Sequence, residues 1–152
     1  MSQQADFVAY DQSGQIQLIA EVKNRVATSK VWAARLRRNL LAHGFLPQVP
    51  FFLLALPDKF YLWKDASNTP EETEPTYEIN AASLLKSYYE QGDATPETIT
   101  KQALELVLTA WLNNLTQIGV SNDVSQADRD TLIRSGMVAA LKGGHIGYQV
   151  SV

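Results

Sequence analysis

The sequence predicts an α/β protein: a mixed β-sheet flanked by helices, with a helical C-terminal half and a C-terminal strand that joins the sheet. Three observations carry this expectation. Two apolar segments flank a Ser13-Gly14 turn near the start of the chain. A fully apolar run from Pro50 to Leu56 has the character of a buried strand. Beyond residue 79 the chain reads as helices punctuated by glycine and proline. At 152 residues, with 45% hydrophobic and 19% charged side chains, the composition is that of one globular domain spanning residues 1–152. Within it we distinguish a core over 5–64, an acidic loop over 65–78, a helical region over 79–142 and a C-terminal strand over 145–152.

The elements follow in order. Asp6 to Asp11 reads as a short strand, Gln12 to Gln15 as a turn, and Ile16 to Lys23 as a second strand, apolar on both faces. Thr28 or Ser29 caps a helix running to about His43 and closed by Gly44. Trp32, Ala33, Leu36, Leu40 and His43 share one stripe of that helix. After the apolar strand, Pro57-Asp58-Lys59 turns the chain into Phe60 to Trp63. The acidic, proline-punctuated stretch from Asp65 to Glu78 is the expected mobile segment. Asn80 to Gln91 reads as one helix, followed by a long one to about Gln117 with Thr95 as cap and Pro96 at its first position. Ser125-x-x-Asp128 resembles a capping box before a further helix. Gly143-Gly144 then releases the alternating segment His145 to Val152.

Composition removes several chemistries. With no cysteine, disulfides, thiol catalysis, zinc ribbons and iron–sulfur clusters are excluded. Two histidines, His43 and His145, argue against a histidine-rich metal site, so a metal here would be a hard cation held by carboxylate oxygens. The N-terminus lacks a signal-peptide pattern and the longest apolar run is too short to span a membrane, so the expected location is cytoplasmic with no membrane partner. The net charge of −3 conceals an asymmetry: Met1 to Gly44 holds six bases and three acids, whereas Asp65 to Asp130 holds twelve acids and three bases. That leaves room for an anionic partner on one face.

The residues that carry chemistry are Asp6, Glu21 and Lys23. A two-residue loop at Ser13-Gly14 pairs Tyr10 with Gln17, Val8 with Ile19, and Asp6 with Glu21. Directly opposed residues have Cβ atoms roughly 4.5–5.5 Å apart. Period-two alternation puts Lys23 on the face of Glu21. Opposed carboxylates repel, which a cation between them relieves. Lys23 can be that cation; a divalent metal held by both carboxylates is the stronger candidate. With eight glutamates and seven lysines, roughly 0.4 Glu-x-Lys triplets arise by chance, so the signal lies in placement at the end of a buried strand.

Asp6 opening one strand, Ile19-Ala20-Glu21-Val22-Lys23 ending the next, and then a helix and a buried strand resemble the PD-(D/E)XK nuclease superfamily, with its restriction-endonuclease-like fold. The match covers about Ala5 to Trp63, and the likeness extends to small uncharacterised bacterial members, many of them cyanobacterial. By this resemblance Asp6 is the motif aspartate, Glu21 the second acid and Lys23 the motif lysine, all three catalytic. Asp6, Glu21 and the backbone carbonyl of Val22 would hold Mg2+ or Mn2+. Ala5 stands where the family usually has proline, and only five residues precede Asp6, where the family core carries a helix and a strand. The aspartate strand therefore needs another neighbour: the segment from His145, or a two-fold partner in a homodimer.

The resemblance implies a Mg2+-dependent nuclease hydrolysing DNA phosphodiester bonds. The alternative is a nuclease-like fold without turnover, serving nucleic-acid binding or protein assembly; an unrelated α/β scaffold follows if the hairpin register is wrong. Arg25, Lys30, Arg35 and Arg37 are the candidate DNA contacts, and the same bases read equally as solvated helix flanks. Trp32, Tyr61, Trp63 and Trp111 read as core.

Overall fold

The computed structural model describes residues 6–44 and 47–148. Its sheet has six strands in the order β5-β4-β3-β2-β1-β6: β1 Phe7–Tyr10, β2 Ile16–Val22, β3 Phe51–Ala55, β4 Lys59–Lys64, β5 Tyr77–Asn80 and β6 His145–Tyr148. β2 and β3 are parallel and every other pair is antiparallel. The parallel pair needs a crossover, which helix α1 (Lys30–His43) supplies. The remaining helices are α2 (Ala81–Leu84), α3 (Lys86–Gln91), α4 (Lys101–Gln117), α5 (Gln126–Arg134) and α6 (Met137–Leu141).

Helices cover both faces of the sheet, which is why β3 is apolar throughout and β2 is apolar on both faces from Leu18 to Ala20. On one face Ile19, Phe52, Leu54, Tyr61 and Trp63 pack with Ala33 and Leu40 of α1. On the other, Phe7, Leu18, Ala20, Leu53, Phe60 and Leu62 form the larger core with the helices after β5. Tyr61, Trp63 and Trp111 are core residues, as expected, and Trp32 is partly buried. α1 begins and ends where its caps predicted: Ser29 accepts from the Trp32 N–H, and the Gly44 N–H returns to Leu40 O.

The expected C-terminal strand exists and joins the sheet beside β1. β6 pairs with β1 from Phe7↔Tyr148 to Tyr10↔His145, and the Tyr10 and His145 rings stack at 4.6 Å. Residues 149–152 of the expected strand lie outside the described residues. Gly144 is what allows this pairing, because a Cβ there would land on the carbonyl oxygen of Tyr10.

The C-terminal half departs from the sequence reading in four places. Tyr77–Asn80, partly assigned to the acidic loop, is strand β5 on the edge of β4. The helix expected from Asn80 to Gln91 is two short helices meeting at Leu85, a fully buried residue with φ −101° and ψ 15°. The long helix starts at Lys101 with Thr100 as its cap, not at Thr95. Thr95 instead closes a separate turn, its carbonyl accepting from Thr98 and Ile99. Ser125 caps α5 by accepting from the Asp128 N–H, but the chain breaks again at Gly136, with φ +86°, before α6. The loop from Asp65 is also anchored: the Trp63 indole donates to Thr73 O, and Gln48 donates to Ala66 O, both at 2.7 Å.

Candidate active site at the ends of β1 and β2

The β1–β2 hairpin holds the expected register where it matters and loses it at the turn. Phe7↔Ala20, Val8↔Ile19 and Ala9↔Leu18 pair as the two-residue-loop reading requires, but Tyr10 pairs with Ile16 instead of Gln17. The loop is one residue longer than assumed, with the Asp11 N–H donating to Gln15 O. A bulge at Gln17 then restores the register. The Gln17 side chain, freed from the ladder, donates to Asp11 Oδ2 at 2.9 Å.

One step beyond Phe7↔Ala20, Asp6 comes opposite Glu21. Asp6 Oδ2 accepts the Val22 N–H at 2.7 Å, so the side chain continues the ladder where β1 ends. Glu21 is 6% exposed. Burial, and then the negative charge of Asp6, push its carboxyl up to about 7; Lys23 and Lys101 pull it back down. Lys23 Nζ lies 3.5 Å from Glu21 Oε1 and is 38% exposed, so the ammonium faces both the carboxylate and solvent. The three residues expected to cluster do cluster.

Two features of the site had no signal in the sequence. Lys101, the first residue of α4, lies near enough to act on Glu21 electrostatically. Asn24 fixes this approach, donating to Ile99 O just ahead of α4 at 3.1 Å. Next to Asp6 opens a cleft of about 300 Å3, whose other walls are Phe7 and the α4 residues Gln102, Glu105, Leu106 and Thr109. Neither feature follows from local periodicity, since α4 is distant in sequence from both strands.

The basic residues divide. Arg25 is exposed, with its guanidinium over the Trp32 ring at 5.3 Å, and Lys30 is exposed in the first turn of α1. Arg35 and Arg38 both bind Glu72 Oε1, at 3.3 and 2.8 Å. Arg37 is corrected outright as a DNA contact: it is 4% exposed, packed over Phe52 and Trp63, and donates to Ser67 O at 2.9 Å. It occupies the centre of the buried stripe of α1 with Ala33, Ala34 and Leu40, while His43, expected on that stripe, is exposed.

Among the described residues no group of three or more His, Asp or Glu side chains gathers to hold a metal. The donors present are two carboxylates, one of them buried beside the other's charge. An all-oxygen set with one or two carboxylates fits Mg2+, which keeps several waters and takes further oxygens from a phosphate substrate. No helix of the described residues is long and apolar enough to cross a membrane. No family model, curated protein or solved structure matches the chain.

Proposed function

We propose that the protein is a Mg2+-dependent nuclease of the PD-(D/E)XK type, hydrolysing phosphodiester bonds in DNA. The observation that carries this reading is the Asp6–Glu21 pair, with Lys23 against it, at the ends of two paired strands. A buried glutamate beside a second carboxylate is costly to ionise without a cation. Asp6, Glu21 and the Val22 carbonyl would hold Mg2+ or Mn2+. Bound there, the ion would stabilise charge on the scissile phosphate. Asp6 Oδ1 is the oxygen that remains for this, since Oδ2 holds the Val22 amide. Lys23, half in solvent, orients the attacking water and assists its deprotonation. Arg25 and Lys30 are the bases free to meet phosphates.

A second reading is a nuclease-like fold without turnover, serving nucleic-acid binding or protein assembly, and a different observation favours its protein-assembly form. Arg37 is buried, and Arg35 and Arg38 are both engaged by Glu72. One experiment separates the two: incubation with plasmid and single-stranded DNA in Mg2+ or Mn2+, with Lys23→Ala alongside. Cleavage by the parent that is lost in Lys23→Ala supports the nuclease. Binding without cleavage supports the non-catalytic module, and cleavage undiminished in Lys23→Ala sinks the catalytic assignment.

A further inference from the structure

The cleft beside Asp6 differs in charge from the rest of the site. Its walls are Asp6 and Phe7 at the start of β1, and Gln102, Glu105, Leu106 and Thr109 on α4. Their only charges are the carboxylates of Asp6 and Glu105; no lysine or arginine is among them. The two bases whose charge reaches Glu21, Lys23 and Lys101, stand outside the cleft. A phosphate is therefore repelled from the cleft and drawn to the lysines beside it. What the cleft can take, next to a phosphate held at Asp6 and Glu21, is the neutral part of a nucleotide.

Its size and lining suit that part. At about 300 Å3 the cleft stands at the small end of ligand pockets and fits one nucleoside. Leu106 is an exposed leucine at its mouth, 70% accessible, and offers apolar surface to the face of a base. Thr109 spends its hydroxyl within the helix, donating to Glu105 O at 2.8 Å. The Gln102 amide and the Glu105 carboxylate make no hydrogen bond or ion pair among the described residues, so they are the polar groups left to meet a ligand. An ionised carboxylate only accepts hydrogen bonds. It therefore favours the amino groups of cytosine and adenine over thymine, which presents a carbonyl oxygen at the same place. A base in a duplex is stacked and paired, and enters such a cleft only when it leaves the stack.

We propose that the cleft between Asp6 and α4 receives one unpaired, amine-bearing base of a DNA strand, with Glu105 accepting from its amino group, so that single strands and frayed ends are the substrate class. This rests on the nuclease reading for the phosphate beside Asp6. Glu105 is a specificity-determining residue in this arrangement and takes no part in the hydrolysis.

The test is binding, read by fluorescence anisotropy of the full chain at pH 8 with Ca2+ in place of Mg2+. The probes are labelled single strands of oligo-dC, oligo-dA and oligo-dT, and a duplex of the same length. The parent should bind oligo-dC and oligo-dA about tenfold more tightly than oligo-dT, the discrimination expected of one base-edge contact. It should bind every single strand more tightly than the duplex. Glu105→Ala should bring the three single strands to one affinity; a general loss of charge or of folding would shift all three together and keep their ratio. A duplex bound as tightly as the single strands, or an oligo-dC to oligo-dT ratio unchanged in Glu105→Ala, overturns the proposal. The cleavage assay with Lys23→Ala judges the nuclease reading separately. Plasmid cleavage without the base preference leaves that reading standing and removes this one; the base preference without cleavage does the reverse. No binding of any strand overturns both.

Discussion

Asp6 and Val22 are joined by a hydrogen bond of 2.7 Å, in which a carboxylate oxygen takes the place of a backbone carbonyl at the end of the β1–β2 ladder. The same carboxylate raises the proton affinity of Glu21, the neighbour of Val22. Asp6 thus has a structural role through one oxygen and an electrostatic one through its charge, and substitutions can separate them. Asp6→Asn keeps an acceptor for Val22 and removes the charge, so the metal-free protein should be as stable as the parent or more so. Asp6→Ala leaves a Val22 N–H unpaired, and should cost about 1–3 kcal/mol in urea unfolding.

Glu21 sets a pH dependence of known sign. Its carboxyl is raised from 4.5 to about 7, so the folded state binds the proton more tightly than the unfolded state. The contribution of Glu21 to stability is therefore greatest below pH 4.5, declines as pH rises from 4.5 through 7, and stays at its lowest above that. At 1.36 kcal/mol per unit the full span is roughly 3 kcal/mol. Glu21→Gln cannot titrate, so its stability should lack this decline and exceed that of the parent at pH 8. Urea unfolding at pH 5, 6, 7 and 8 measures the difference; parallel profiles for the two proteins would refute it.

Metal should reverse that penalty if the proposed site exists. Millimolar Mg2+ or Mn2+ is expected to raise the parent's Tm, most clearly above pH 7 where Glu21 is ionised, because a ligand that prefers the folded state stabilises it by mass action. The rise should largely vanish in Asp6→Asn and in Glu21→Gln. A parent that melts identically with and without metal would remove the catalytic reading and leave the non-catalytic module.

Glu72 engages Arg35, one of the proposed DNA contacts, together with the neighbouring Arg38. Glu72→Gln should free Arg35 and Arg38, tighten DNA binding at low salt, and steepen its loss with rising salt by about one to two released counterions. Reversal of Arg35 to Glu should weaken binding to all sequences alike. Filter binding or fluorescence anisotropy from 50 to 200 mM salt reads both (roughly the range over which phosphate contacts are revealed). Equal affinity of parent and Glu72→Gln would mean that these arginines do not meet DNA.

The β6–β1 edge depends on Gly144. Gly144→Ala would force the new methyl group against the Tyr10 carbonyl and separate the strands at their first pair. We expect a loss of about 1–3 kcal/mol, and faster amide exchange along β6. Unchanged exchange across Phe7 to Tyr10 would show that the edge can adjust without cost.

What the chain determines by itself is what short-range physics can specify. The β1–β2 hairpin, the apolar strand β3, the Ser29 cap of α1, the Ser125 cap of α5 and the strand after Gly144 all follow from alternation, capping chemistry and glycine placement within a few residues. The Asp6–Glu21 pairing belongs to this group with a qualification: the turn is one residue longer than assumed, and the Gln17 bulge cancels the error. Tertiary structure decided the rest, because it depends on which distant surfaces meet. Thr95 and Thr100 are both competent caps; anchoring of Ile99 O by Asn24 accompanies the choice of Thr100. The helix expected from Asn80 to Gln91 lost its first residue, Asn80, to β5, whose Ile79 is buried across from Phe60. The charge of Lys101 acts on Glu21 only because α4 packs against the sheet. Arg37 and Arg35 look alike as helical arginines, and only the loop from Asp65 folding over α1 buries one against Trp63 and turns the other to Glu72. Burial of a charge is a property of the completed surface, so no local pattern encodes it.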